Sequence, residues 1–292
     1  MKFTLKQMQV FLAIAAHENV SHAANELAMS QSAASTALKQ LEHRFEVSLF
    51  DRIGKRLQLN EQGQLIRPKV AALISRAVEL ENALSLDAEV GDLKVGATLT
   101  IGNYLAIAIM AKFMREHADA KIGLTVENTA AIVQKVKKFE LDIGLIEGEP
   151  QEPDLEISYW REDELALFCA PNHPYASKNE LSDKDLTDAQ WIVREQGSGT
   201  RQAFDRAMTG ILSNLDIRLE LQHTEGIKRS VEAGLGIGCL SKITLVDAFK
   251  RGSLVPLNAP RRNWTRKFYF ILHRQKFLSS GVQSWMNYCR QA

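Results

Sequence analysis

Residues Val20–Arg56 read VSHAANELAMSQSAASTALKQLEHRFEVSLFDRIGKR, and this segment sets the architecture of the N-terminal region. Ser21 is suited to cap a short helix over 22–28, whose small residues allow a second helix to cross closely. The turn that follows ends at Ser30, which caps a third helix over 31–45. The segment therefore predicts two helices in tandem joined by a tight turn.

Another helix precedes this pair. Its apolar residues recur at spacings of three and four, the stripe of an amphipathic helix, at Leu5, Met8, Phe11, Leu12 and Ala15. The third helix has an inner face of the same kind, formed by Ala34, Leu38 and Leu41. We expect the three helices to pack around one core.

The outer face of the third helix is short and polar, and it consists of Gln31, Ser32, Ser35, Thr36 and Lys39. Amides and hydroxyls near a helix N-terminus are the groups that read base edges in the major groove of DNA. A solvated helix face is the alternative interpretation of this stripe. The tandem helices and the basic hairpin that follows favour DNA.

The hairpin follows the third helix and is centred on Gly54. Residues 1–60 hold seven Lys or Arg against five acids, and the basic residues cluster at Arg52, Lys55 and Arg56. This clustering matters more than the net charge of +1 for the chain.

The runs AANELAMSQSAAS, LKQLE and LFDRIGKRLQLNEQGQ resemble the LysR-type transcriptional regulators. The resemblance implies a winged helix-turn-helix with the wing at Gly54. It assigns base or groove contacts to Gln31, Ser32 and Ser35, and phosphate contacts to Arg52, Lys55 and Arg56. The complete set of predicted DNA contacts is Ser21, His22, Gln31, Ser32, Ser35, Thr36, Lys39, Arg52, Lys55 and Arg56. Ser32 and Thr36 stand where many members have Pro and Arg, so the operator sequence does not transfer.

A heptad seam follows over 61–88, with apolar residues at Ile66, Val70, Leu73, Ala77, Leu80 and Leu84. Pro68 stands near its start and is expected to kink the first turn. Packing on its own domain is one interpretation of the seam. Pairing with a second copy is favoured, because Arg76, Glu79 and Glu81 keep the other face polar and DNA half-sites are usually read by dimers. Residues 87–92 are predicted to form a hinge.

From residue 91 onward the chain alternates strands and helices, which predicts an α/β domain with mostly parallel sheets. Predicted strands cover 92–98, 121–127, 141–146, 164–170, 191–194, 219–222, 237–240 and 267–274. Predicted helices cover 104–117 and 130–139. Two more begin after Thr200 and after Gly226, and a last helix ends at Cys289. The pattern resembles the two-lobed periplasmic-binding-protein architecture, with lobe I over about 91–160 and 266–292 and lobe II over about 161–265. The crossing points are expected near 159–161 and 263–266.

Two loops at predicted strand ends are rich in hydroxyls. Ligands of open α/β sheets lie at such ends, where free N–H groups at a helix start favour an anion. The first loop offers Thr98, Thr100, Gly102 and Asn103, and helix capping is its alternative interpretation. The second offers Gly197, Ser198, Gly199, Thr200 and Arg201, with glycines for close approach and a bidentate cation. Asn128 and Thr129 are expected at the rim.

Glu147 also follows a strand and should face the same cleft. A carboxylate there repels an anion unless one of the two is protonated or a positive group intervenes. It also suits an amino group, which leaves an amino acid or a small carboxylate as an alternative to a small oxyanion.

The motifs TIGNY, IEG, REQGSGTR, EGIKRSVEAGLGIGCLS and HRQK are similar to a narrower branch, the YeiE-like regulators and related regulators of cysteine metabolism. This resemblance covers essentially the whole chain and implies sulfite or a related sulfur oxyanion as effector. It also implies promoter DNA as a partner and assembly into a homodimer or homotetramer. A protein whose lobes serve only oligomerisation is the other alternative.

Composition excludes several other classes. The N-terminus lacks the features of a signal peptide and no segment has the roughly 18 consecutive apolar residues of a membrane span, so we expect a cytoplasmic protein. Cys169, Cys239 and Cys289 are far apart, and the seven histidines show no metal spacing or nucleophile motif. We expect no enzyme activity, no metal and no cofactor beyond the effector.

Overall fold

A computed structural model describes residues 1–54, 56–84 and 92–292. Two predicted features lie outside the described residues, namely the wing residue Lys55 and residues 85–91, which include the end of the predicted linker and most of the predicted hinge.

The N-terminal unit has the three predicted helices, α1 (Leu5–His17), α2 (Val20–Glu26) and α3 (Gln31–Phe45). The third helix is confirmed with its cap, since Ser30 Oγ accepts from the backbone N–H of Ala33 at 3.2 Å. The predicted inner face is buried in one core with Met8, Phe11 and Ala15 of the α1 stripe, whereas Leu12 is half-buried against this core and Leu5 is exposed.

The predicted cap of the second helix is wrong. Asn19, rather than Ser21, caps α2, because its Oδ1 accepts from the backbone N–H of both Ser21 (2.8 Å) and His22 (3.2 Å). A short Asn side chain in extended backbone satisfies two free donors of the first turn, and the helix therefore begins at Val20.

The wing is an antiparallel pair, β1 (Phe50–Ile53) and β2 (Arg56–Leu59), in which Ile53 is opposite Arg56. Gly54 at the turn has φ 63°, a left-handed conformation that glycine adopts without steric cost.

The linker helix α4 (Glu61–Leu84) continues through Pro68. Its first half packs on the N-terminal core through Ile66, Val70 and Ile74. Its second half exposes apolar side chains at Leu73, Val78, Leu80 and Leu84. The seam thus divides between the two interpretations: the first half covers its own domain, and the second half is unpaired within the described part of this single chain.

Lobe I is built on β3 (Asp92–Thr98), β4 (Lys121–Glu127), β5 (Ile143–Glu147), β11 (Thr265–His273) and the first part of β6 (Leu155–Cys169), in the order β4-β3-β5-β11-β6. Strands β3, β4 and β5 are parallel, whereas β11 is antiparallel to both β5 and β6. The helices of this lobe are α5 (Leu99–Ile101), α6 (Ile107–Glu116), α7 (Thr129–Lys137) and α12 (Ser280–Gln291).

Helix formation after β3 begins earlier than predicted. The chain enters α5 at Leu99, directly after the strand, and passes through a π-helical turn (Gly102–Ala106) into α6. The predicted start at Tyr104 is therefore wrong, and Thr98 and Thr100 stand at the opening of a continuous helical segment. π-Helical turns within helices are frequent at functional sites.

Lobe II continues the sheet from the second part of β6 through β9 (Ile237–Ser241), β7 (Gln190–Arg194) and β8 (Asp216–Leu221), with β10 (Val255–Leu257) also paired to β6. Its helices are α8 (Asp183–Asp188), α9 (Gly199–Ala207), α10 (Thr224–Glu232) and α11 (Lys242–Arg251).

Strand β6 crosses between the lobes. Its residues up to Glu164 pair with β11, and those from Leu165 pair with β9 and β10. The predicted strand at 164–170 is thus the second part of one longer strand, and the change of partner lies a few residues after the predicted crossing. No helix within the described ranges is long and apolar enough to cross a membrane.

Candidate functional site

A buried guanidinium joins the two lobes at the crossing strands. Arg266, near the start of β11, donates from Nε to Asp163 Oδ2 and from Nη1 to Glu147 Oε2, both at 2.6 Å. Nη1 also donates to Thr200 Oγ1 at 2.9 Å, and Nη2 to Thr100 Oγ1 at 3.3 Å. Glu147 and Thr100 belong to lobe I and Thr200 to lobe II, so one side chain contacts both walls of the cleft.

The strand pattern explains why Arg266 is buried. In β11 Arg266 lies on the same inward face as Phe268 and Phe270. Asp163 in β6 similarly shares a face with Leu165. Breaking a buried ion pair by removing one partner costs about 3–5 kcal/mol, because the other charge is left uncompensated. The cluster is therefore a strong structural constraint where β6 and β11 cross between the lobes.

Glu147 ends β5 and is only 1% exposed. Burial opposes its ionisation, but the charge of Arg266 and the nearby hydroxyls of Thr100 and Thr200, the second hydrogen-bonded to Oε2 at 2.8 Å, hold the pKa of Glu147 below the ordinary value. Its Oε1 is buried and has no hydrogen-bond partner among the described residues. An ionised carboxylate only accepts hydrogen bonds, so this oxygen requires a donor.

Thr98 and Thr100 stand at the start of α5, and Thr100 shares the Arg266 guanidinium with this carboxylate. Thr98 occupies the N-cap position, yet its hydroxyl caps no backbone N–H and is buried without a partner in the part of the chain that is described. The alternative interpretation of this loop as ordinary capping is thus not seen at Thr98. Gly102 instead serves packing, because a Cβ there would overlap Val126, and Asn103 is exposed.

The walls of the cleft touch each other. Thr129 Oγ1 donates to the carbonyl of Glu147 at 2.9 Å and accepts from the N–H of Gly199 at 3.1 Å. The N–H of Ala130 donates to the carbonyl of Gly197 at 3.1 Å. Further out, Tyr104 of lobe I donates to Glu225 of lobe II at 3.2 Å.

The glycines of the second loop were predicted to admit a ligand, but in the structure they admit the opposite lobe. A Cβ on Gly199 would overlap the carbonyl of Glu147, and one on Gly197 would press on Ala130. Gly197 also has φ 87°, which favours glycine. Close approach of lobe II to lobe I therefore depends on these two positions.

Ser198 and Arg201 are engaged within lobe II. Ser198 caps α9, its Oγ accepting from the N–H of Thr200 at 3.2 Å. Arg201 donates to Asp205 at 2.8 Å and to Glu220 at 2.6 Å. The cation that contacts Thr100 and Glu147 is consequently Arg266, which the sequence prediction missed. The signal that points to it is a charged residue on the inward face of an otherwise apolar strand.

Two further members of the cluster were also missed, Asp163 and Ser241. Ser241 Oγ donates to Asp163 Oδ1 at 2.9 Å, which satisfies the second oxygen of that carboxylate. Of the predicted site residues, the structure brings together Thr100, Thr129, Glu147, Gly199 and Thr200. Asn128 caps α7 and donates to Glu195 at the rim.

The predicted DNA-binding face is exposed on the N-terminal unit. The outward side chains of α3 and of its neighbours are Ser21, His22, Gln31, Ser32, Thr36, Lys39, Arg52 and Arg56, and Ser35 is half-buried. Arg56 lies 4.0 Å from Glu18, an exposed pair that leaves its charge available to a phosphate.

Comparison with known proteins places both regions in one family. A family described as "Bacterial regulatory helix-turn-helix protein, lysR family" matches residues 5–64, and "LysR substrate binding domain" matches 87–292. The HTH-type transcriptional regulator YeiE of Escherichia coli strain K12 is 38% identical over 292 residues, covering 100% of this chain and 99% of that protein.

Solved structures agree on the fold. A full-length OxyR variant from Pseudomonas aeruginosa superposes with a TM-score of 0.78 at 20% identity, covering 99% of this chain and 95% of that one. The CcmR regulatory domain of Synechocystis PCC6803 in complex with 2-PG gives 0.64 at 28% identity, covering 69% and 96%. Full-length CbnR with its target DNA gives 0.61 at 16% identity, covering 99% of both chains. The predicted fold, a winged helix-turn-helix with a two-lobed α/β domain, is confirmed.

Proposed function

The chain belongs to the LysR family of transcriptional regulators, and we propose that it binds promoter DNA as a dimer or tetramer under the control of a small oxyanion held between its lobes. The expectation that it is not an enzyme is confirmed by the family, whose members act on transcription. Promoter DNA lies in the cytoplasm of a bacterial cell, and we propose that the protein acts there.

DNA binding is supported by the exposed polar N-terminal turn of α3 and the exposed arginines of the wing. Gln31 and Ser32 carry an exposed amide and hydroxyl of the kind that contact base edges. The exposed guanidinium groups of Arg52 and Arg56 suit contacts with phosphates. CbnR, which shares the fold, was solved on its target DNA.

Assembly is supported by the second half of α4. Leu80 and Leu84 are 61% and 76% exposed in the single chain, which is unfavourable for a seam of leucines at heptad spacing. A second copy of α4 removes this surface from water and sets two readers on neighbouring half-sites.

The effector class follows from the unpartnered groups of the cleft. Thr98 Oγ1 and the helix start at Leu99 suit an anion, whereas the ionised Glu147 Oε1 needs a donor. One small ligand meets both needs if it is an oxyanion that carries a proton. Hydrogen sulfite is such an ion, and sulfate at neutral pH is not.

The observation that carries this proposal is that two buried oxygens at the ends of the adjacent strands β3 and β5, Thr98 Oγ1 and Glu147 Oε1, have no hydrogen-bond partner among the described residues. A zwitterionic amino acid, whose ammonium group suits Glu147, is the alternative that the same carboxylate favours. CcmR and the QuiR effector domain, solved with 2-PG and with shikimate, show that this fold holds small molecules.

The test is calorimetric titration of the full chain with sulfite, sulfate, thiosulfate, small carboxylates and amino acids. Thr98→Val keeps the side-chain shape and removes a hydroxyl that has no described partner, so we expect an unchanged melting temperature. A lost hydrogen bond to an ion is worth about 1.5–3 kcal/mol, so sulfite affinity should fall roughly tenfold or more. Thr125→Val on β4 serves as the matched control. Equal sulfite affinity in all three proteins contradicts the proposed site, and binding of an amino acid instead of sulfite contradicts the proposed class.

A further inference from the structure

Helix α7 is held at both of its ends by parts of the protein that perform different tasks. Its N-terminus contacts lobe II in the cleft, and its C-terminus contacts the linker helix α4. We propose that α7 transmits movement of the cleft to the DNA-binding unit through the contact of Arg67 with the carbonyl of Lys138. The proposal rests on the proposed function, because such transmission has a role only in a regulator whose DNA binding responds to an effector.

The N-terminal contacts are several and direct. Asn128 caps α7 through Oδ1, which accepts from Ala131 at 3.0 Å, while its Nδ2 donates to Glu195 of lobe II at 3.1 Å. At the first two residues of the helix, Thr129 Oγ1 accepts a hydrogen bond from the Gly199 N–H, and the Ala130 N–H donates one to the Gly197 carbonyl. Separation of the lobes therefore breaks or drags the first turn of α7.

The C-terminal contact involves a charge. Arg67 of α4 donates from Nη2 to the carbonyl of Lys138, which is the C-cap of α7. The C-terminal end of a helix carries a partial negative charge that favours a guanidinium. The next residue, Phe139, has a left-handed φ of 57° and packs on His273 at 4.2 Å between ring centroids. The end of α7 is thus fixed in position against Arg67.

The segments between these contacts are suited to transmit displacement. The buried face of α7, Ile132, Val133 and Val136, packs on the lobe I sheet, so that the helix moves as one body. Arg67 lies between Ile66 and Val70, which pack into the core of the DNA-binding unit. A shift at the Lys138 carbonyl is therefore delivered to the turn of α4 that is anchored to that unit.

A second contact between α4 and lobe I provides a matched control. The Arg76 guanidinium lies over the Phe277 ring, 5.0 Å from its centroid, in the connection between β11 and α12. It joins the same helix to the same lobe without using α7. Loss of an arginine at 67 or at 76 thus removes equal charge from α4 but only one of the two touches α7.

The experiment uses a steric wedge in place of an effector. Gly199→Ala places a methyl group against the Glu147 carbonyl and should part the lobes. Amide hydrogen exchange is measured on the full chain at α4, α7 and α9. We expect the wedge to change exchange in α4 by roughly fivefold or more, the lower end of ordinary allosteric coupling. Adding Arg67→Gln should abolish the change in α4 and leave those in α9 and the first turn of α7. Adding Arg76→Gln should leave all of them.

Two outcomes overturn the proposal. One is an α4 response that survives Arg67→Gln, and the other is its loss in Arg76→Gln as much as in Arg67→Gln. Thr129→Val, which cuts the hydroxyl link between the lobes without adding volume, repeats the test if the wedge variant does not fold. Because no effector is added, a failure to bind sulfite bears on the proposed function alone, and a failure of this cycle bears on α7 alone.

Discussion

Glu147 and Arg266 show how a carboxylate can stand in a site proposed for an anion. The negative charge of Glu147 is opposed by the Arg266 guanidinium 2.6 Å away, which keeps the pKa of this carboxylate low; its Oε2 accepts from both Arg266 and Thr200. In the proposed site, the remaining oxygen is the group expected to select an effector by its proton content.

Glu147→Gln should relax selectivity between protonated and unprotonated oxyanions. The amide nitrogen donates where the carboxylate accepted, so sulfate gains a hydrogen bond and hydrogen sulfite loses one. We expect the ratio of sulfite to sulfate affinity to fall by roughly tenfold, equivalent to about 1.4 kcal/mol. Titration calorimetry with both ions checks this, and Glu149→Gln, an exposed neighbour in the same loop, is the control. An unchanged ratio removes Glu147 as the selective group.

Arg266→Met should destabilise the protein by about 3–5 kcal/mol, since Asp163 and Glu147 are left as buried carboxylates without a cation. Unfolding in urea measures the loss. Arg229→Met removes a largely exposed arginine paired to Glu232, and we expect it to cost about 0–1 kcal/mol. Equal losses for the two variants contradict the proposed weight of the cluster.

The same variant has a defined pH dependence. In the wild type, Glu147 has a lowered pKa, so its contribution to stability is present above the unfolded-state value and is lost as pH falls. Without Arg266, burial raises the pKa of Glu147, and the cost of its ionised form grows as pH rises. The stability gap between wild type and Arg266→Met should therefore narrow from about pH 7 to about pH 5. A gap that widens on acidification contradicts this sign.

At the scale of elements, α4 performs two tasks with one amphipathic pattern. Its first half completes the core of the DNA-binding unit, and its second half leaves leucines exposed for a partner. Sequence spacing reveals the apolar stripe but not the residue at which it stops packing on its own domain, because both halves have the same heptad spacing. The tertiary neighbours of Ile66 and Val70 decide it.

Leu73→Glu combined with Leu80→Glu should dissociate the assembly, because charges on the exposed seam oppose its burial in a second copy. Light scattering after size-exclusion chromatography should report a shift toward the monomer mass. Gln64→Glu, at the exposed start of the same helix, should leave the mass unchanged. A double variant with wild-type mass shows that contacts outside α4 hold the assembly together.

At the scale of the whole molecule, sequence predicted most helices and the meeting of the two hydroxyl-rich loops, but it placed the cap of α2 wrongly at Ser21 and missed the helix start after β3 and the buried ion cluster. Ser30 and the helix it caps were found because the signal lies within a few residues. Arg266 was missed because its partners, Asp163 and Glu147, are 103 and 119 positions away. Its inward position beside Phe268 and Phe270 is a usable signal once the strand is known. The glycines at 197 and 199 were found, but the opposite lobe rather than a ligand lies against them.

The DNA-binding surface predicts a salt effect for the complete protein. Arg52→Ala removes one proposed phosphate contact per chain, so affinity should fall about equally for operator and random DNA, and the slope of log K against log salt should flatten by about 0.9 for each contact. Fluorescence anisotropy across a salt series measures both. Gln31→Ala, by contrast, should mainly lower discrimination between the two DNAs. If Gln31→Ala lowers the affinity for operator and for random DNA equally, Gln31 does not read bases.

The Arg266 cluster has a consequence for how such a sensor changes over time. The residues that join the two lobes at the crossing strands are also those beside the proposed ligand. A substitution in this cluster that changes effector recognition therefore also lowers folding stability. Natural proteins have only about 5–15 kcal/mol to lose. New effector preferences should therefore arise first in backgrounds that already carry stabilising changes elsewhere, and the rim residues, rather than this cluster, should be the positions where change begins.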